Sequence, residues 1–482
     1  MRFRYVFVVL LSLTPGFFTY AIGRQSIITY LSWYPSFGTA VGCDKWREGG
    51  PDYAKRAIQG LNRPLVARAS HASEYSSPIT YSLSVNGGLN IKSELTQIKS
   101  AGFDVIAYDM LPSPNPMRPR YSGPAYCGLD QFNRFGQIAD ELSLKVALFS
   151  DIKNLSADFP GGYSFNSIDW QGAYSTVVKY YGDKPWYWKP LGRPAIFQFG
   201  ASVGAMKGLN GVGAIHEWEK VVKSVSESGN ALDVFLDVRP ADYYALTVAE
   251  GDGKVMPFLF APGAPSVFLN KFLKDLASRT PYPIWSVSPG YYNRKLRVYL
   301  PPDFSRIHAA YSNALANNAQ AMLVATWNDF EEETDIVEST HKGSALLKVF
   351  EYYNAWFKYG KPPPLKYPLM VFALPSYRFE NVRSSQPTWG GGEADAKNNE
   401  YGQVVYYWAH MKADGWVLIN DRKILLHNGL NIGKVDIGRA PNINIFNSLG
   451  GAVSSQVKWL ENESDKGTDP GMTFVYKMLE GN

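Results

Sequence analysis

Short apolar runs alternate with amphipathic segments over roughly the first 360 residues of the chain. The runs are rich in the β-branched and aromatic residues that favour strands, and turn residues bound them. The segments between them repeat apolar residues at helical spacing. In residues 91–101, for example, Leu95, Ile98 and Ala101 share one face, and Gly102 follows where a helix C-cap is expected. The pattern therefore predicts regular alternation of strands and helices.

Eight strand–helix pairs can be counted in this part of the chain. The predicted strands are residues 27–35, 103–109, 144–151, 194–199, 232–238, 255–260, 283–288 and 321–327. The predicted helices are residues 91–101, 129–142, 170–181, 215–226, 243–250, 266–278, 304–317 and 343–358. This alternation indicates a parallel sheet with helical crossovers, most simply a (β/α)8 TIM barrel. A doubly wound open sheet is the alternative, but no Gly-x-Gly-x-x-Gly follows the first strand.

The pattern changes after the proline run at residues 362–364, which indicates a domain boundary. Beyond it, short strand-like pieces alternate with turns, as in a small antiparallel β-sandwich. The predicted pieces are residues 370–374, 404–410, 416–420, 423–426, 457–460 and 472–477. Trp408, Trp416 and Trp459 could pack this domain's core or form a platform for a sugar. The predicted domains are therefore a barrel over residues 22–364 and a sandwich over residues 365–482.

The first residues resemble an export signal. Two arginines flank Phe3, an apolar stretch follows, and small residues near Ala21 suggest cleavage after it. Residues 1–21 are therefore predicted to be a signal peptide and the protein to be secreted or periplasmic, although an uncleaved anchor stays open. No later segment has the ~20 apolar residues that span a bilayer. Cys43 and Cys127 could form one disulfide or remain two thiols.

Composition narrows the choice of ligand. The formal charge of +5 is spread along the chain without basic runs, which argues against nucleic acid as a partner. The six histidines show no paired metal-ligand spacing, and neither a Gly-x-Ser-x-Gly elbow nor a phosphate loop occurs. We expect no metal and no cofactor, and a monomer. Asp329, Glu332 and Asp335 have the hard oxygen ligands that calcium prefers, but they lack the alternating spacing of a calcium loop.

Polar or aromatic residues close five of the predicted strands. They are Trp33, Asp109, Asp151, Asp237 and Asp329. Any one acid there could be a helix N-cap. Because the carboxyl ends of all strands meet at one rim of a barrel, where barrel enzymes keep their chemistry, five such endings favour a functional rim.

The last of these endings opens the most acidic stretch of the chain, residues 326–335. Asp329 and Glu332 are three residues apart and could converge on one small site. Two converging carboxylates can cleave a glycosidic bond, one as proton donor and the other to activate water or act as nucleophile. The alternative is a solvated acidic loop. Glu331, Glu333 and Asp335 are expected to be solvent-exposed, although crowding of like charges could raise the pKa of the acid.

The run from Trp327 to Glu332, Trp-Asn-Asp-Phe-Glu-Glu, resembles the Trp-Asn-Asp/Glu-aromatic-x-Glu signature of glycoside hydrolase families 71 and 99. The first family contains endo-α-1,3-glucanases, and the second contains endo-α-mannosidases and related mannanases. Residues 30–34, 102–104 and 288–294 match the same pattern in the same order, so the resemblance covers roughly residues 25 to 360. It is specific around the seventh and eighth strands and loose elsewhere.

The resemblance implies a (β/α)8 barrel with Asp329 and Glu332 as the catalytic pair. The mannosidase pattern has Glu and Gly where this chain has Asp329 and Glu333, so the chain departs toward the glucanase pattern. This favours an α-linked glucan and inversion of configuration. An endo-α-mannosidase and a barrel that binds a glycan without cleaving it are the alternatives.

Seven further residues are assigned to the polysaccharide substrate. Asp109, Asp151 and Asp237 are candidate acceptors for sugar hydroxyls, and Asn328 joins them through the motif. Trp33, Tyr291 and Trp327 are candidate stacking faces, although Trp327 could instead pack the top of the barrel.

Overall fold

A computed structural model of the 482-residue chain describes the barrel strands, most of the helices and two C-terminal sheets. The described residues are 23–31, 87–110, 122–151, 167–200, 212–238, 255–260, 267–278, 280–293, 298–328, 334–338, 342–375, 377–379, 403–438, 440–456, 458–460 and 474–481.

Within the described residues, ten strands precede the C-terminal sheets. They are β1 (Gln25–Leu31), β2 (Val105–Met110), β3 (Lys145–Asp151), β4 (Ala195–Phe199), β5 (Asp233–Asp237), β6 (Val255–Phe258), β7 (Ile284–Val287), β8 (Tyr291–Asn293), β9 (Val298–Leu300) and β10 (Ala321–Val324). Eight of them form one parallel sheet in the order β6-β5-β4-β3-β2-β1-β10-β7. The two ends of this order are consecutive along the chain, and the sheet curls into a nearly closed TIM barrel, as predicted. Strands β8 and β9 form a small hairpin after β7.

Seven helices are described. They are α1 (Gly87–Ser100), α2 (Ser122–Glu141), α3 (Ser167–Tyr181), α4 (Val212–Glu227), α5 (Val267–Ser278), α6 (Phe304–Ala316) and α7 (Ala345–Tyr359). The turn from α1 to β2 has the predicted glycine C-cap. Gly102 adopts φ +82° and its N–H bonds Lys99 O at 3.0 Å, while Phe103 N–H reaches Ile98 O at 3.2 Å. The predicted helix at residues 243–250 lies outside the described residues.

Strand residues alternate between two hydrophobic cores. In β1, Ile27 belongs to the core inside the barrel, whereas Ile28 and Tyr30 belong to the core between strands and helices. The same alternation places Ala107 inside and Ile106 outside in β2. Parallel strands buried on both faces need this nearly continuous apolar character, which is why the sequence shows runs rather than alternation.

An aromatic plug closes the amino ends of the strands. Trp188 stacks on Phe197 with ring centroids 5.5 Å apart, and its indole N–H donates to Gln25 Oε1 at 2.9 Å. The Tyr282 hydroxyl donates to the same oxygen at 2.6 Å. The carboxyl ends of the strands are therefore the end at which a site can form.

The C-terminal part contains two four-stranded antiparallel sheets. Its strands are β11 (Leu369–Pro375), β12 (Tyr377–Phe379), β13 (Val404–Met411), β14 (Gly415–Ile419), β15 (Arg422–Leu426), β16 (Gly429–Asp436), β17 (Asn442–Asn447), β18 (Ala452–Gln456), β19 (Lys458–Leu460) and β20 (Phe474–Glu480). The sheet orders are β16-β13-β11-β20 and β15-β14-β17-β18. One hydrophobic core, with Phe372 and Val405 from the first sheet and Val417 and Ile445 from the second, lies between them. The predicted sandwich is thus present.

The first sheet also packs its other face against the barrel. Val371 and Trp408 belong to the same core as the barrel helices. The indole of Trp408 is fully buried, its N–H donates to Tyr353 Oη at 3.2 Å, and its ring meets Tyr352 at 5.3 Å. Trp408 is therefore a core residue and not a sugar platform. Trp416 is half-buried, and the side chain of Trp459 lies outside the described residues.

Several strands were not predicted. In β17, buried and exposed residues alternate, but Phe446 is exposed and Asn447 is buried, so the period of two does not show as an apolar–polar alternation in the sequence. Strand β16 lies at a sheet edge and is mostly half-exposed, so it shows no apolar run. The hairpin β8–β9 and the short β12 and β18 were also missed.

Asn354 in α7 connects three elements of the barrel. Its side chain is fully buried, accepts from the Tyr311 hydroxyl of α6 at 2.7 Å, and donates to Ala101 O at 2.8 Å. We predict that Asn354→Leu lowers the free energy of unfolding by at least about 2 kcal/mol, because it leaves two buried polar groups without this partner. Chemical unfolding measures the change.

Lys348→Met is the matched control on the same helix. Lys348 forms an exposed pair with Glu351 at 3.0 Å, and its loss should change stability by about 0.5 kcal/mol or less. Equal effects of the two substitutions would contradict a structural role for the Asn354 amide.

Candidate active site

The acidic stretch at the end of β10 has fixed flanks. Thr326 N–H donates to Thr334 O at 3.1 Å, and the hydroxyls of the two threonines lie 2.8 Å apart. Both threonines are buried. The residues on either side of segment 329–333 are thereby joined at the carboxyl rim of the barrel.

The backbone of Trp327 strengthens this junction. Its N–H donates to Thr29 O of β1 at 2.7 Å, and its carbonyl accepts from Ile336 N–H and Val337 N–H, each at 3.1 Å. Trp327 therefore ties the acidic stretch to the first strand and to the returning chain. The next residue, Asn328, is fully buried.

The Trp327 side chain faces a buried acid on α1. The Glu94 carboxylate is only 5% exposed and accepts from the Tyr30 hydroxyl at 2.8 Å. Burial raises the pKa of Glu94 to about 7, against the lowering effects of the Tyr30 hydroxyl and the nearby Trp327 indole N–H. Tyr30 and Trp327 belong to the core between strands and helices, so Glu94 supports the rim from outside the barrel interior.

A buried ion pair supports the far flank. Lys342 Nζ lies 2.7 Å from Asp335 Oδ1 and 2.6 Å from Asp335 O, and the two side chains are 2% and 0% exposed. Asp335 was expected to be solvent-exposed, and this prediction was wrong. Its carboxylate can be buried because a cation lies at hydrogen-bond distance.

Three acids lie at or next to the carboxyl ends of strands at the rim. Asp109 and Asp237 follow Ala107 and Phe235 by two residues, and these belong to the barrel-interior core. The alternation of the strand gives both aspartates interior positions, and both are buried. Asp151 ends β3 in register with Phe199, and its side chain lies outside the described residues.

Asp237 also fastens its neighbours. Its Oδ1 accepts from Phe260 N–H at 2.9 Å, and its Oδ2 faces Gly200 N–H at 3.4 Å. This carboxylate therefore joins the ends of β4, β5 and β6. Its predicted contact with sugar hydroxyls stays a prediction.

The seventh strand ends in a braced turn. The Ser288 hydroxyl donates to Gly290 O, and Arg306 Nη2 of α6 donates to Ser288 O at 3.3 Å. Arg306 is only 5% exposed. Tyr291 follows as the first residue of β8 and is half-buried, so part of its side chain is exposed, as its predicted stacking role requires.

The structure describes only some of the predicted site residues. Asp329, Glu332 and Trp33 lie outside the described residues. Trp327 is fully buried in the core, which corresponds to the packing alternative and not to a stacking face. The pairing of Cys43 with Cys127 also involves side chains outside the described part of the chain.

Glu94 is the site residue that the sequence analysis missed. A signal for it existed, because Glu94 is four residues before Ile98 and seven before Ala101, on the apolar face of the helix. An acid on such a face must be partnered or shifted in pKa. Within the described ranges, no group of three or more potential metal-ligating side chains occurs, and no helix is long and apolar enough to cross a membrane.

Comparisons with known proteins give similarities of fold only. No protein-family model matches the chain, and no curated protein matches it. A solved family 99 endo-α-mannosidase from Bacteroides thetaiotaomicron is 14% identical with a TM-score of 0.49, over 70% of this chain and 99% of that one. A structure described as a glycoside hydrolase-like protein is 12% identical with a TM-score of 0.46, over 69% and 94%. An endo-β-1,4-glucanase from Xanthomonas axonopodis pv. citri is 8% identical with a TM-score of 0.39, over 55% and 90%.

The raised pKa of Glu94 predicts a pH-dependent stability. The folded chain holds the Glu94 proton up to about pH 7, whereas the unfolded chain releases it near 4.5. The contribution of the Glu94 proton to the free energy of unfolding is therefore complete below pH 4.5. It is lost as pH rises to 7, and the total loss is roughly 3 kcal/mol. Glu94→Gln removes this loss, so the variant should gain stability relative to the native protein between pH 5 and pH 8, measured by chemical unfolding.

Glu141→Gln serves as the control. Glu141 ends α2 in an exposed pair with Lys92 at 2.7 Å, and its replacement should change stability little at either pH. If the stability difference between Glu94→Gln and the native protein is the same at pH 5 and at pH 8, the raised pKa of Glu94 is refuted.

Proposed function

We propose that the protein is an exported glycoside hydrolase that cleaves internal α-linkages of a polysaccharide, most specifically an endo-α-1,3-glucanase. The observation that carries the proposal is the Trp-Asn-Asp-Phe-Glu-Glu motif on a fixed base at the end of the eighth barrel strand. Residues on both sides of segment 329–333 are hydrogen-bonded together at that rim. Residues 1–21 would serve as the export signal.

The barrel supports this reading because it supplies a rim of carboxylates. Asp109, the penultimate residue of β2, and Asp237, the last residue of β5, have interior positions on the rim that bears the motif. Carboxylates can accept hydrogen bonds from sugar hydroxyls. The amino end of the barrel is filled by Trp188 and Tyr282, which leaves the opposite end for a substrate.

The mechanism assigns different roles to the two motif acids. One of Asp329 and Glu332 protonates the leaving glycosidic oxygen, and the other activates water on the opposite face of the sugar. Inversion requires carboxyl groups ~6.5–9.5 Å apart, so that a water molecule fits between them. Asp329 and Glu333 depart from the mannosidase pattern, and this departure favours a glucan over a mannan.

Substitution of the two acids tests the proposal. The protein without residues 1–21 should release reducing ends from α-1,3-glucan and not from α-mannan or other α-glucans. Asp329→Asn and Glu332→Gln should each lower kcat by at least about 100-fold, because each removes a proton-transfer group, while both variants still bind the polymer in a pull-down.

Glu338→Gln is the matched control, since Glu338 lies in the same region but outside the motif, and its kcat should stay near the native value. The initial anomer of the product, followed by NMR, should be inverted. Full activity in both acid variants would refute the catalytic pair. Binding without release from any polymer would point instead to a non-catalytic glycan-binding barrel.

A further inference from the structure

Lys342 is a buried cation that bridges the barrel and the C-terminal sheet. On the barrel side, its Nζ contacts both the carboxylate and the carbonyl of Asp335. On the other side, Nζ lies 5.8 Å from the centroid of the Tyr476 ring. Tyr476 belongs to β20 and is 6% exposed. A cation over an aromatic face is attracted more strongly when both groups are desolvated, as they are here.

Tyr476 is held firmly in its own sheet. It pairs with Ala373 of β11, and its ring meets Phe304, the first residue of α6, at 6.4 Å edge to face. Tyr476, Phe304 and Ala373 belong to one continuous hydrophobic core that joins the sheet to the barrel helices. The position of the Tyr476 ring is therefore set by packing that does not involve Lys342.

Asp335 follows segment 329–333 and lies where the chain returns to the barrel, within residues 334–337. Its neighbour Thr334 bonds Thr326, and its other neighbour, Ile336, bonds Trp327 O. A shift of the Lys342–Asp335 pair would therefore move both attachments of residues 334–337. The chain of contacts from Tyr476 to Trp327 involves only described, buried residues.

We infer that Tyr476 is a positioning residue for residues 334–337, where the chain returns from segment 329–333 to the barrel, and that the C-terminal sheet thereby supports the proposed active site rather than forming a separate glycan-binding module. The inference rests on the proposed function of Asp329 and Glu332. The ring fixes the Lys342 ammonium, the ammonium fixes Asp335, and Asp335 fixes residues 334–337.

Tyr476→Leu tests this inference and keeps an apolar side chain in the core. We expect kcat to fall about ten-fold or more, with KM changed less than about two-fold, because a misplaced catalytic group slows the chemical step. Phe474→Leu is the matched control. Phe474 lies on the same strand, is 5% exposed and packs against Tyr406. Its loss should lower the unfolding temperature to a similar extent and leave kcat near native. Tyr476→Phe keeps the aromatic face and should restore kcat.

Hydrogen exchange provides a readout that does not depend on activity. In Tyr476→Leu, the amides of Thr326, Ile336 and Val337 should exchange at least about ten-fold faster than in Phe474→Leu. If the native protein cleaves no polymer but this difference appears, the proposed function fails and the positioning role stands. Equal exchange rates in the two leucine variants would overturn the inference, and so would equal kcat values if the native protein cleaves a polymer.

Discussion

The hydrogen bond from Trp327 N–H to Thr29 O joins the last parallel strand to the first, and the site depends on that closure. The pairing of β1 with β10 brings the ends of strands far apart in sequence to one rim. Without it, β10 would lie at a sheet edge, and its carboxyl end would not share a rim with those of β2 and β5. The same residue receives two further backbone hydrogen bonds, so the closure and the base of the acidic segment are one structure.

Burial of charge is the second constraint on this rim. Asp335, Lys342 and Glu94 are all buried, and each has a partner that offsets desolvation or a raised pKa that avoids it. Their partners come from different elements: the residues around Asp335, the strand β1 and the sheet that contains β20. The rim therefore draws its order from tertiary contacts and not from the local sequence.

The sequence predicted the barrel because its strands are buried on both faces. Runs such as Ala321–Val324 and Ile284–Val287 are apolar throughout, and the helices between them have clear stripes. Two strands of the C-terminal sheets gave weaker signals. The edge strand β16 is half-exposed and lacks an apolar run, and in the interior strand β17 an exposed Phe446 and a buried Asn447 break the apolar–polar alternation.

The site was predicted in part for the same physical reason. Acids at strand ends can be predicted because the apolar runs show where the strands end. Asp109 and Asp237 lie at the rim as expected. The partner of an acid cannot be read in this way. The pairing of Asp335 with Lys342 and the contact of Glu94 with Tyr30 depend on how separate elements pack. Trp408 is a further example. Whether its ring binds a sugar or packs in the core depends on its neighbours in space.

The shared core between the first C-terminal sheet and the helices α6 and α7 has a consequence for the evolution of the chain. Tyr352 and Tyr353 would lose their contacts with Trp408 if the barrel were separated from the sheet at the proline run. A recombination event at that boundary would produce a barrel with a bare aromatic face, prone to aggregation. The two parts are therefore expected to be inherited together, as a single unit of selection, although the proline run in the sequence indicates a boundary between two domains.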